Sequence, residues 1–219
     1  MENNITELVF ILDRSGSMRE LENDTIGGYN SFIEKQKKEP GEAFLTTILF
    51  DDYYEVLHGR TSIKEVQPLT TNEYYARGWT ALLDAVGKAI EDTNKKIDKL
   101  PEQERPAKVL FVITTDGLEN SSKEYTFKHV KEKIQHYTED HGWEFLFFGA
   151  NMDAIGVASG MGIRADRAVR YANDSAGVSL NYCEMSEVAS HYRRCSKIDD
   201  DWKKKIEKDY AKRGDKNKK

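Results

Sequence analysis

Three short stretches of this sequence carry oxygen-bearing side chains at spacings that suit a hard metal ion. The first is Asp13-Arg14-Ser15-Gly16-Ser17, in which Asp13, Ser15 and Ser17 alternate. In extended chain, residues two apart point to the same side, so one carboxylate and two hydroxyls can converge on a point. Gly16 lets the loop fold tightly between the serines. Thr80, in Gly78-Trp79-Thr80, can add a fourth oxygen. Asp116, in Thr115-Asp116-Gly117, can add a second carboxylate, directly or through water. Hard oxygens of this kind select Mg²⁺, Mn²⁺ or Ca²⁺ over zinc. Two carboxylates neutralise a divalent ion only formally, and the protein donors do not fill six positions. The ion therefore retains affinity for one more anionic oxygen, which a Glu or Asp of a partner protein could supply.

Each stretch follows a segment that reads as a buried strand. Residues 8–12 (LVFIL) end at Asp13, residues 109–114 (VLFVIT) lead into Asp116, and residues 144–148 (EFLFF) lead to Asn151-Met152-Asp153. Continuous apolar runs of this length suit strands covered on both faces. Residues 43–50 and 53–57 flank Asp51-Asp52 and predict a hairpin with a two-residue turn. Helices are predicted over 21–38, stopped by Pro40-Gly41, and from Thr80 as N-cap into the lysines at 95–99. Further helices are predicted over 126–141, 153–160 and 175–194, with 58–79 a weakly patterned connection and 168–171 a last short strand.

Buried strands alternating with amphipathic helices predict an α/β protein. Its architecture is a doubly wound three-layer α/β/α stack, with a mostly parallel central sheet and one antiparallel edge strand. Ligands of such sheets bind beyond the carboxyl ends of the strands, where strand order reverses. By that rule Arg14, Glu119, Asn151 and Asp153 are expected to ring the site. Asp84 is expected to be buried nearby and bonded to loop backbone. Trp79 either lines the binding face or packs in the core.

Taken together, Asp13-x-Ser15-x-Ser17, then Gly78-x-Thr80-Ala81-Leu82-x-Asp84-Ala85, then Thr115-Asp116-Gly117 resemble the metal-ion-dependent adhesion site of von Willebrand A domains. Order, strand-end placement and spacing all match, over roughly residues 6–155 and more loosely to 195. The resemblance implies a Rossmann-like fold. It also implies that Asp13, Ser15 and Ser17 bind the ion from one loop, Thr80 from a second and Asp116 from a third, often through water. No residue of the ligand pattern departs from the family's. The loop after Asp116, Leu118-Glu119-Asn120-Ser121, lies where the family varies. Secreted members usually carry signal peptides, and often disulfides. This sequence shows neither sign, so it resembles the intracellular bacterial or phage-type branch, whose members scaffold protein complexes.

Composition fits that expectation. The 219 residues suit one large domain, 38% are hydrophobic and 32% charged, and the formal net charge is −5. An acidic balance argues against nucleic acid as the partner. Residues 1–6 are polar and lack a signal-peptide pattern, and no apolar run approaches the ~20 residues needed to span a bilayer. A cytoplasmic location is expected, with Cys183 and Cys195 as reduced thiols. Residues 1–198 are read as the domain. Residues 199–219 carry nine Lys/Arg and six Asp/Glu and are read as a frayed or disordered tail.

Two enzymatic readings compete. Mg²⁺-dependent phosphohydrolases place a nucleophilic aspartate at a strand end with a second acid two residues on, but position 15 is serine. A serine hydrolase would need a GxSxG elbow, which Ser15 and Ser17 lack. A structural adaptor with an unused metal site is the third alternative. The five histidines show no metal spacing, and Gly156-x-x-x-Gly160-x-Gly162 is not the dinucleotide fingerprint.

Overall fold

The computed structural model describes residues 4–150 and 153–216. Six strands form one sheet: β1 (Thr6–Asp13), β2 (Ala43–Phe50), β3 (Tyr54–Ser62), β4 (Lys108–Thr115), β5 (Glu144–Ala150) and β6 (Ala168–Tyr171). Their order is β3-β2-β1-β4-β5-β6. All neighbours are parallel except β2 and β3, so β3 is an antiparallel edge strand, as the sequence predicts.

The helices are α1 (Glu22–Lys38), α2 (Leu82–Asp98), α3 (Phe127–His141), α4 (Ala154–Gly160), α5 (Ser175–Cys195) and α6 (Lys204–Lys216). They lie in two layers because β1 and β4 are buried along their whole length. Alternate side chains of β1 enter different cores. Leu8, Phe10 and Leu12 meet Tyr29 and Phe32 of α1 and Tyr182 and Met185 of α5. Val9 and Ile11 meet Leu82 and Val86 of α2 and Val130 of α3. Each such side chain contributes roughly 1.5–3 kcal/mol relative to exposure. The chain runs from β1 outward to β2 and β3, then returns through α2 to β4 on the other side of β1. The switch in strand order therefore falls between β1 and β4, and their carboxyl ends carry Asp13 and Asp116.

Three expectations are corrected. The hairpin turn has three residues, not two: Phe50 pairs with Tyr54, and the carboxylate of Asp51 accepts the Tyr53 N–H at 2.6 Å. β3 also runs on to Ser62, with register shifts between Leu45 and Thr47 and between Thr47 and Ile48. Lastly, residues 199–216 do not form a frayed tail. Trp202 and Ile206 are buried with the α1/α5 core, the Trp202 ring meets Phe148 edge-on at 5.3 Å, and its indole N–H donates to the Asp166 carbonyl. A charged sequence hid two apolar anchors. α6 consequently covers β6, the other edge of the sheet.

Candidate metal centre

β1 delivers Asp13 to the switch point fully buried. Its Oδ1 accepts the Ser15 N–H at 2.6 Å and its Oδ2 accepts the Thr115 hydroxyl at 2.5 Å. The chain stays extended through Ser15 (φ −62°, ψ 167°) before a 3₁₀ turn over Gly16–Leu21. That alternation keeps Asp13 and Ser15 on one side, as the spacing predicts, and turns Arg14 to the other. Ser15 Oγ lies 3.1 Å from Ser17 Oγ, and Ser17 Oγ donates to Asp116 Oδ1 at 2.5 Å. Asp116 Oδ2 accepts from the side chain of Asn173, on the β6–α5 loop, at 3.3 Å.

Thr80 enters from the loop before α2. A Cβ built on Gly117 would sit 2.6 Å from Thr80 Oγ1 and 3.4 Å from Ser17 Oγ, so both hydroxyls flank a position where any larger residue would crowd Thr80. The backbone locks this arrangement. Thr80 N–H donates to Asn120 Oδ1, Asn120 N–H donates to the Thr80 carbonyl, and Gly16 N–H donates to the Gly78 carbonyl. The five predicted residues thus lie at one place, reached from three loops.

The donors suit a small divalent ion. Oxygens bound at 2.0–2.1 Å in an octahedron stand about 2.9 Å apart, and the Ser15–Ser17 spacing is 3.1 Å. Among the described residues no group of three or more His, Cys, Asp or Glu is placed to hold a metal. This site has two carboxylates, with hydroxyls as its other oxygens. Burial pushes the Asp13 carboxyl up to about 6, opposed by the bonds from Thr115 and Ser15, with the nearby Asp116 adding to the rise. Burial also raises Asp116. Both carboxylates are thus short of positive charge, which a cation would provide.

Arg14 does not ring the site. It is buried on the far side of its strand, where its Nε donates to Asp51 Oδ2 at 3.0 Å and its Nη2 to Glu55 at 2.7 Å. Asp51 Oδ2 also takes Arg77 Nε at 2.7 Å, and the Asp51 carbonyl accepts the Ala81 N–H. Arg77 N–H donates to the Arg14 carbonyl, and the Tyr74 hydroxyl to the Asp13 carbonyl. A buried carboxylate in the β2–β3 turn therefore ties the Asp13 loop to the Thr80 loop. From the sequence alone Asp51 reads only as a turn residue.

Glu119 also turns away from the site. It accepts N–H groups from Leu83, Ser121 and Ser122, and so caps α2 from a distant loop. Thr80 is correspondingly not the helix cap, since α2 begins at Leu82 after Ala81. Asp153 caps α4 by accepting the Gly156 N–H. Asn151 lies outside the described residues. Asp84 accepts backbone N–H groups of Lys123, Glu124 and Tyr125, as expected, although it is half-buried rather than buried. Trp79 is exposed, at 67%. Thr115, Asn120 and Asn173 were not foreseen; only Thr115, beside Asp116 at a strand end, had a signal in the sequence.

No family model matches the sequence, and no curated protein matches it. Solved structures do. Proximal thread matrix protein 1 from the mussel byssus, in a form described as having a zinc-occupied MIDAS motif, superposes with a TM-score of 0.58 at 15% identity, over 84% of this chain and 46% of that one. A von Willebrand factor type A protein from Catenulispora acidiphila gives 0.53 at 16% identity, over 84% of this chain and 42% of that one. The D319A mutant of the PilB minor pilin of Streptococcus sanguinis gives 0.61 at 8% identity, over 88% and 63%. This chain spans less than half the length of the mussel and Catenulispora proteins.

Proposed function

We propose that this chain, which has the von Willebrand A fold, is a binding module that holds one divalent cation and offers it to a carboxylate of a protein partner. The observation that carries this reading is the meeting of Asp13, Ser15, Ser17, Thr80 and Asp116 at the β1/β4 switch point. When bound, the ion would supply a Lewis-acidic point of positive charge at the protein surface. The chain's own residues do the rest. Asp13 is fixed by Thr115 and the Ser15 N–H, while Ser17 is exposed and Asp116 partly so, which leaves the outer side of the site open to a partner.

Mg²⁺ fits the all-oxygen donors, with Mn²⁺ or Ca²⁺ as substitutes. A binding role rather than a catalytic one is supported by Ser15 standing where a phosphohydrolase places its second acid, and by both Asp13 oxygens being engaged in hydrogen bonds. Among the described residues no helix is long and apolar enough to cross a membrane. Cys183 and Cys195 are both exposed free thiols, which suits the cytoplasm. Isothermal titration with Mg²⁺ and Mn²⁺ tests the proposal. Saturable 1:1 binding lost in Asp13→Ala is expected, and equal binding by that variant would overturn the ligand assignment.

A further inference from the structure

The surface beside the site is unusual in its exposed aromatic side chains. Tyr53 is 68% exposed and Trp79 67%; Trp79 sits on the loop that carries Thr80, and Tyr53 sits in the β2–β3 turn. They line one cleft of about 610 Å³ together with Asp52, Asp84, Asn120 and Glu124. The cleft adjoins the metal site directly. Trp79 precedes Thr80, and Asn120, on its wall, accepts the Thr80 N–H. Asp52 fixes the Trp79 backbone by accepting its N–H at 3.2 Å.

The charge of the cleft identifies what it can take. Asp52, Asp84 and Glu124 face Lys123 in this cleft and Lys88 in an adjoining one that shares them, three carboxylates against two lysines. Asp84 is spent on three backbone N–H groups, but Asp52 and Glu124 are both exposed. Aromatic faces with carboxylates at their edge attract a planar cation, through the ring quadrupole and through ion pairing. The same surface already packs cations in this way: Arg77 lies 5.8 Å over the Tyr53 ring and Lys88 4.6 Å over that of Tyr54. An apolar or acidic occupant would leave the carboxylates desolvated and unpaired.

We propose that this cleft binds an arginine side chain of the partner, beside the carboxylate that reaches the cation. The partner segment then carries an acid and an arginine close together. The arginine half stands on the cleft alone, whereas the acid half rests on the metal reading above. Arginine is favoured over lysine because its flat guanidinium both stacks and forks.

The test uses the indole N–H resonance of Trp79 in the full chain. Trp143 and Trp202 are only 5% and 8% exposed, and Trp79→Phe fixes the assignment. Nα-acetyl-arginine amide is expected to shift that resonance saturably, in Mg²⁺ or EDTA alike, while Nα-acetyl-norleucine amide does not. Asp52→Asn with Glu124→Gln, both on exposed side chains, should weaken the arginine probe about tenfold or more. Equal shifts by both probes, or undiminished binding by the double variant, would overturn the proposal. Peptides holding Arg and Glu apart by zero to four serines then join the halves. One spacing should bind about tenfold or more tighter in Mg²⁺ than in EDTA. No gain at any spacing, with the arginine probe still bound, would refute the metal reading and leave the cleft.

Discussion

Asp51→Asn is the most informative single change, because it removes charge from a residue that touches neither the ion nor a partner. Asp51 is fully buried and holds Arg14 Nε at 3.0 Å and Arg77 Nε at 2.7 Å on one oxygen. Neutralising one member of a buried pair costs about 3–5 kcal/mol. Arg14 keeps Glu55 at 2.7 Å, which places the loss near the lower end. Arg77 is partly solvated, so its share is under about 1 kcal/mol. A loss of about 3 kcal/mol leaves a domain of ordinary stability folded. Without the Asp51 carboxylate the segment from Arg77 to Thr80 keeps its backbone bonds to Arg14 and Gly16 but loses its charged anchor, and support of this kind is worth up to about 10–100-fold in metal affinity. Urea unfolding in EDTA measures the first quantity and Mn²⁺ calorimetry the second. Stability within about 1 kcal/mol of the parent would refute the buried-charge reasoning. Lost stability with metal affinity within about twofold would show that the network serves the fold and not the site.

Other expectations follow from single features. Gly117→Ala would drive a methyl to 2.6 Å from Thr80 Oγ1, so Mg²⁺ affinity should fall about tenfold while circular dichroism is retained. Ser15→Ala should lower Mn²⁺ affinity without unfolding the chain, and unchanged calorimetry would remove Ser15 from the site. Glu7, buried on β1 with Arg60 at 3.2 Å, is raised by burial from 4.5 to about 7. Its protonated form is favoured in the fold, so its contribution is fully present below pH 4.5 and lost as pH rises through about 7. Relative to the parent, Glu7→Gln should therefore gain about 3 kcal/mol between pH 4.5 and 8, read from urea midpoints. Trp202→Ala should cost about 3–5 kcal/mol, and an unchanged melting temperature would contradict the packing of α6.

The strands that deliver the ligands were legible because they are covered on both faces, and only unbroken apolar runs such as LVFIL and VLFVIT satisfy two cores at once. Asp13 and Ser15 were legible because side-chain alternation is a local rule. The same rule, carried one residue further, would have turned Arg14 away from them. Its partners Asp51 and Glu55 lie 37 and 41 residues on, and no local signal joins them. Caps failed for a related reason. Thr80 has the composition of a cap, but the α2 N–H groups are taken by Glu119 and Ser122 from a loop some 36–38 residues away. Long-range polar pairing is decided by which loops meet, and that is set by topology rather than by neighbours in the chain. The tail was misread because two apolar anchors among fifteen charges do not register in composition.

The register shifts on β3 bear on how the molecule behaves in company. Between Thr61 and Val56 that strand uses two more residues than β2 does opposite it, and Arg60 within it takes a left-handed φ of 55°. An open border of nine residues would otherwise invite another polypeptide to dock as a seventh strand. The surplus residues crimp that border and break the run of outward amide and carbonyl groups. With α6 lying across the opposite border, neither end of the sheet presents a straight ladder for propagation. Removing the surplus residues would flatten the crimp and expose a template for stacking, so self-association measured by light scattering should rise in such a deletion.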